Sequence, residues 1–161
     1  MRLQAALLAR AVEYDRAFAA RARARVLVFI LVRPEDSDSV RVGEQIRLEL
    51  GAIAQIGGLP HSEEIVPYGS ARELAERIAK QAPAILYLSA GLGANVEPIA
   101  RALEGLSILS VGVSASYVAK GAVLGFDAES GRPQLLVHLG QARRQQVEFR
   151  SEFLKLAKVS Q

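Results

Sequence analysis

Five residues have the types and placement to hold a small polar ligand: Ser89, Gly91, Ser114, Ser116 and Tyr117. Hydroxyls and free backbone N–H groups bind polar ligands without needing a formal charge. Both groups follow apolar runs that read as strands, AILYLS at 84–89 and SILSVG at 107–112. In an open α/β sheet, ligands sit beyond the carboxyl ends of strands, near a switch in strand order. The competing reading is that these serines simply cap the helical turn that follows them.

Other candidates carry less. AGLGAN follows a strand and precedes a helix, which is the context for phosphate binding by exposed N–H groups. It lacks the third glycine of G-x-G-x-x-G, where Val96 stands, and no Walker lysine follows, so tight-turn glycines are the better reading. A serine nucleophile needs a base and an orienting acid. His138 lies in the apolar run LLVHL, and His61 follows Pro60 without an obvious partner. The pairs Glu35-Asp36 and Glu63-Glu64 read as solvated charge. The expectation is no enzyme activity, no cofactor and no metal; with two histidines and no cysteine, a multi-histidine or thiolate metal site has too few ligands.

The elements that must position these residues are legible in the apolar spacing. Leu3, Leu7, Ala11, Tyr14 and Phe18 predict a helix over 2–22. RVLVFILV at 25–32 is too continuously apolar for a half-exposed strand and suits a buried parallel one. A helix over about 40–56 ends at Gly57-Gly58, followed by a strand at 63–68. Ser70 and Glu73 have capping-box spacing at the start of a helix over 71–81. Strand 84–89, helix 96–104 and strand 107–112 continue the alternation.

After Gly112 the rhythm changes. Runs at 122–128 and 133–139 are joined by Glu129-Ser130-Gly131-Arg132, too short for a parallel crossover, so they pair antiparallel. The glycines at 121, 125 and 131 then shape backbone instead of cradling a nucleotide. A helical tail over about 140–158 closes the chain. The predicted fold is a single α/β domain over 1–161, a Rossmann-like three-layer sandwich of about six strands, mostly parallel with a C-terminal antiparallel hairpin.

Composition agrees. The 161 residues are 50% hydrophobic but only 6% aromatic, so aliphatic side chains make the core. The net charge is +3, with seven arginines among the first 33 residues. No aromatic-lined basic motif accompanies them, so they read as a solvated helix face and no nucleic-acid partner is expected. No apolar run reaches the ~18 residues that span a bilayer. The opening MRLQAALLARAVEYDR fails as an export signal because Arg10 interrupts a short apolar segment.

The C-terminal half resembles the YfiR family. Members carry a Gly-Gly-Met-Ile-Gly/Asn-Phe segment, an arginine before a strand ending Ile-Asn-Leu, an Ala-Ala-Arg-Arg helix and a terminal Leu-Leu-Lys-Leu-Ala-Arg-Val. Here Gly121-Ala122-Val123-Leu124-Gly125-Phe126, Arg132, Val137-His138-Leu139, Gln141-Ala142-Arg143-Arg144 and the stretch from Phe153 to Val159 stand at those positions. The opening QAALLARAVEYDRAF is similar to the family's first helix, and AILYLS falls where the family has a Cys-His-Ile-Leu-Phe-Ile strand. The departures are Ala122, His138 and the missing cysteines. A disulfide-dependent redox response therefore does not carry over.

The resemblance implies a small periplasmic regulator, a homodimer, that binds a membrane-bound signalling protein such as a diguanylate cyclase. The expected compartment is the periplasm, as a mature form without its signal peptide, with the cytoplasm as the alternative. An exposed apolar surface on the first or last helix is the expected contact. The serine and tyrosine loops are also similar to type I periplasmic solute-binding domains, which makes a small-solute-binding protein the alternative function.

Overall fold

VLVFILV contains no polar residue, and it is buried as β1 (Val26–Val32) between β2 (His61–Pro67) and β3 (Ile85–Leu88). Because successive side chains of a strand point to opposite faces, Val28, Ile30 and Val32 enter one core layer, and Phe29 and Leu31 the other. β3 repeats the division, with Ile85 and Tyr87 on the first face and Leu86 and Leu88 on the second. This is why both strands read as continuous apolar runs. The computed structural model describes residues 2–127, 131 and 133–161.

The sheet has seven strands in the order β2-β1-β3-β4-β5-β6-β7, adding β4 (Leu109–Gly112), β5 (Leu124–Asp127), β6 (Gln134–His138) and β7 (Lys158–Ser160). The first five in that order are parallel, with Val28 beside Ile85, Ile85 beside Leu109 and Val111 beside Leu124. β6 is antiparallel to β5, as predicted, and Leu124 faces Val137. The turn residues Glu129, Ser130 and Arg132 lie outside the described residues.

Helices cover both faces. α1 (Arg2–Ala11), α2 (Phe18–Ala22) and α3 (Ser37–Gly51) bury Leu8, Phe18, Ile46 and Leu50 in the first layer. α4 (Ala71–Gln81) and α5 (Val96–Leu103) bury Leu74, Ile78, Ile99 and Leu103 in the second. The arrangement is the expected Rossmann-like three-layer fold. α4 starts where predicted, with the Ser70 hydroxyl accepting the Glu73 N–H at 3.2 Å. α3 starts earlier than predicted because the Asp36 carboxylate accepts the N–H groups of Asp38 and Ser39, at 3.0 and 3.3 Å, and it ends at Gly51 and not at Gly57-Gly58.

Three predictions need correction. The first helix does not run through 2–22: α1 passes into a 3-10 turn at Val12–Tyr14, and α2 begins only at Phe18. Asp15 is drawn into the interior between them, where it bonds Arg21 and bridges to Phe149. The tail is not one helix either. After α6 (Ala115–Ala119), it consists of α7 (Leu139–Arg144), α8 (Ser151–Leu154) and the added strand β7. Gln141 and Gln145 cause the break. Gln141 Nε2 donates to Ala100 O and to Gln145 Oε1, both at 2.9 Å, and Gln145 Nε2 donates to Ile108 O at 2.9 Å. These buried amides pin α7 to the sheet, and the chain leaves it through Gln146 at φ +59°. Finally, β7 raises the strand count from about six to seven.

Candidate functional site

The strand order reverses at β1: the chain builds β2 on one side of it and β3 on the other. The carboxyl ends of β1 and β3 therefore meet at the position where open α/β sheets commonly hold ligands. β1 delivers Arg33 and the loop that caps α3, and β3 delivers Ser89, Ala90 and Gly91. Gly91 has φ +83°, and a Cβ there would collide with the Asp36 carboxylate, so only glycine lets the two loops approach so closely.

Ser89, Gly91 and Tyr117 are brought together here, and the two hydroxyls are spent internally. The Ser89 hydroxyl donates to Ser39 O at 2.7 Å. The Ser39 hydroxyl accepts the Arg33 N–H at 2.9 Å. The Tyr117 hydroxyl donates to Ser89 O at 2.7 Å and accepts the Leu92 N–H at 3.0 Å. Burial pushes the Tyr117 pKa up, and Asp36 adds to that; the Leu92 N–H and the Arg33 charge oppose it. The phenol thus acts as a neutral brace between β3 and α6.

Arg33 is the residue here that sequence reasoning missed. Its Nη2 donates to Asn95 Oδ1, while its Nε is buried without a hydrogen-bond partner. Asn95 comes from the AGLGAN loop, whose 3-10 turn (Gly93–Asn95) presents a side chain to Arg33. The only signal was position, an arginine directly after a buried strand.

Ser114 and Ser116 are not in that cluster. They line a neighbouring groove of about 470 Å³ at the carboxyl ends of β4 and β5, with Leu3, Gln4, Phe126 and Asp127. Their hydroxyl oxygens are 3.0 Å apart. Ser114 has the backbone conformation of a helix cap, yet its side chain makes no cap bond. Gln4 forms part of the wall because its Oε1 accepts the Tyr87 hydroxyl at 2.8 Å and its Nε2 donates to Val113 O at 3.4 Å. The segment 113–117 thus has one face in the groove and another, through Tyr117, at the switch point.

The histidines serve the backbone. His61 Nδ1 bonds the Glu63 carboxylate and Nε2 donates to Ile53 O at 2.6 Å, fastening β2 to the turn after α3. His138 Nδ1 accepts the Gln141 N–H at 3.0 Å and caps α7. Burial, with the Arg144 charge adding, pushes its pKa down. Among the described residues neither ring bonds a serine hydroxyl, and no group of three or more acidic or histidine side chains is placed to hold a metal ion.

The glycines of 114–139 play the expected structural part. Gly121 has φ +117°, and a Cβ there would come within 2.7 Å of the Ala100 methyl. Its place is set by close approach to α5.

A model of the YfiR/HmsC-like family matches residues 3–158, nearly the whole chain. The chain belongs to that family. It is a family of regulatory, non-enzymatic, periplasmic proteins. Among curated proteins, none matches the chain. Solved structures share the fold at low identity. A conserved domain protein from Vibrio cholerae is 12% identical with a TM-score of 0.62, over 99% of this chain and 60% of that one. A domain from Streptococcus pneumonia, solved in complex with L-Trp, is 11% identical with a TM-score of 0.63, over 95% and 62%. A substrate-binding protein with adhesive properties from Clostridium difficile, in a ligand-free open structure, is 12% identical with a TM-score of 0.61, over 90% and 57%. This YfiR/HmsC-like chain spans about three fifths of each of those proteins.

Proposed function

We propose that this YfiR/HmsC-like chain is a non-enzymatic regulatory domain that acts in the periplasm by binding a membrane-bound signalling protein, a diguanylate cyclase or a similar enzyme. The observation that carries the reading is the family match over residues 3–158. Two exposed leucines are compatible with it: Leu3 on α1 is 49% exposed, and Leu156, just past α8, is 66% exposed. Each leucine would give a partner, the signalling protein or a second copy in a homodimer, an apolar point of contact.

The groove offers a route for regulation. Leu3 and Gln4 of α1 share its wall with Ser114 and Ser116, so an occupant touches the contact helix and the loop after β4 together. A ligand with different affinity for two positions of α1 shifts their populations, and partner binding with them.

The test is cellular cyclic di-GMP in the source bacterium with the gene intact, deleted, and restored as wild type or with Leu3→Asp. Deletion raises the level, wild type lowers it, and Leu3→Asp fails to do so. An unchanged level on deletion overturns the cyclase reading.

A second reading, a small-solute-binding protein, is favoured by the same groove. Ser89, Gly91 and Tyr117 would then shape the site from behind while Ser114 and Ser116 contact the ligand. The L-Trp in the Streptococcus structure makes amino acids the first compounds to screen. A melting temperature that rises with one compound, by mass action, and no longer rises after Ser114→Val supports it.

A further inference from the structure

A second cavity, of about 630 Å³, opens at the opposite end of the sheet, where the chain enters β1, β3 and β4. Its walls include Arg21, Arg23 and Arg143, facing a single acidic side chain, Glu148. The volume lies within the range of small-molecule sites. None of the residues at the carboxyl edge contributes to it.

Arg21 is built in. Its side chain is 2% exposed, with Nη1 on Asp15 at 2.7 Å, Nε on the Ser107 hydroxyl at 3.1 Å and Nη2 on Gln146 O at 3.0 Å. A guanidinium has five N–H bonds, so one hydrogen on each terminal nitrogen is left over. Asp15 is fully occupied: its Oδ2 takes Arg21, and its Oδ1 takes the N–H groups of Ala17 and Glu148 at 3.0 and 3.1 Å. Arg23 and Arg143 form no ion pair among the described residues. Arg41, Arg47, Arg72 and Arg77 each pair with a carboxylate, whereas among the described residues Arg10, Arg16 and Arg150 do not; what sets Arg23 and Arg143 apart is the cavity they share.

The backbone is also unusual here. Arg23 at φ +63°, Ala82 at +50° and Gln146 at +59° are all the non-glycine residues with positive φ among the described residues, and all three line this cavity. Such conformations cost energy and concentrate at ligand clamps. Each follows a helix end, and helix carboxyl ends attract arginine. That accounts for Arg21, which bonds Gln146 O, and for Arg143 in the last turn of α7, yet among the described residues neither the Arg23 nor the Arg143 side chain bonds one of these carbonyls.

We propose that this cavity is a binding site for a small organic anion, with a carboxylate or phosphate held by Arg21, Arg23 and Arg143. The organic body packs on Ala17, Ala20 and Pro83. The site is independent of the regulatory reading, which concerns the other end of the sheet.

The test is calorimetric titration with benzoate and with inorganic phosphate at ionic strength held constant with chloride, alongside amide NMR shifts. Saturable binding of benzoate, with shifts at Ser107 and Val147, supports an organic carboxylate; saturation by phosphate with the same shifts supports a phosphate ligand. The double variant Arg23→Gln, Arg143→Gln, whose wild-type side chains are exposed and form no hydrogen bond or ion pair among the described residues, weakens either by about tenfold or more. It keeps the wild-type melting temperature. Failure of both probes to saturate, binding that survives the double substitution, or shifts confined to Ser114 and Asp127 would overturn the proposal.

Discussion

Asp15 and Arg21 form an ion pair at 2.7 Å with side chains that are 0% and 2% exposed. The pair sits between α1 and α2 and holds them against the C-terminal segment through Glu148 and Gln146. It turns a helical sequence into two helices and supplies the fixed guanidinium of the anion cavity.

Removing one member leaves the other charged and buried, so Asp15→Ala is expected to lower stability by about 3–5 kcal/mol. Replacing both, Asp15→Asn with Arg21→Met, restores part of that loss. Urea denaturation of the single and double variants checks this; a single variant as stable as wild type would contradict the internal role of the pair.

Tyr117→Phe keeps the ring in the core and deletes the hydroxyl that joins Ser89 O to the Leu92 N–H. The buried N–H and carbonyl lose their partner, for a cost of about 1–3 kcal/mol. Chemical denaturation gives the number, and faster amide exchange at Leu92 locates the change at the switch point.

The cap on α7 needs a neutral His138, since Nδ1 accepts the Gln141 N–H. The folded pKa lies below the ordinary value of about 6.5. Below that value the unfolded chain binds the proton more readily. The contribution of the neutral ring is therefore complete above about pH 6.5 and is lost as pH falls toward the lowered folded pKa. His138→Asn keeps an acceptor without titrating. Melting curves from pH 8 to pH 5 should decline less for this variant than for wild type.

Ala82 holds a left-handed conformation with a Cβ, at a cost of roughly 1–2 kcal/mol. Ala82→Gly removes that cost but adds chain entropy to the unfolded state, so the expected net gain is up to about 1 kcal/mol. A higher urea midpoint with unchanged slope is the expected result.

For the proposed homodimer, light scattering should return twice the chain mass, and Leu156→Asp should return the monomer mass. A monomer for both would contradict the dimer.

Much of the architecture was legible because burial on two faces leaves a plain mark. β1 and β3 are apolar throughout, and the link over 128–133 between β5 and β6 is too short for anything but an antiparallel neighbour. The site was legible only as a region. Position at strand ends singles out Ser89 and Tyr117, but nothing in the order of residues says that their hydroxyls satisfy backbone groups of other loops. Arg33 was missed, since an arginine after a strand looks like any solvated charge until Asn95 is seen beside it.

What the sequence by itself determined is therefore the layered sheet, its parallel core and its family, all consequences of local apolar pattern and motif order. Tertiary structure alone decided where the helices break, which hydroxyls are spent, and that three arginines share a cavity. Those outcomes depend on partners such as Asp15 and Glu148, 133 residues apart. Desolvation makes an unpaired polar group costly wherever it is buried. The chain accordingly gives up helical continuity to satisfy such groups, and helical periodicity carries no sign of that exchange.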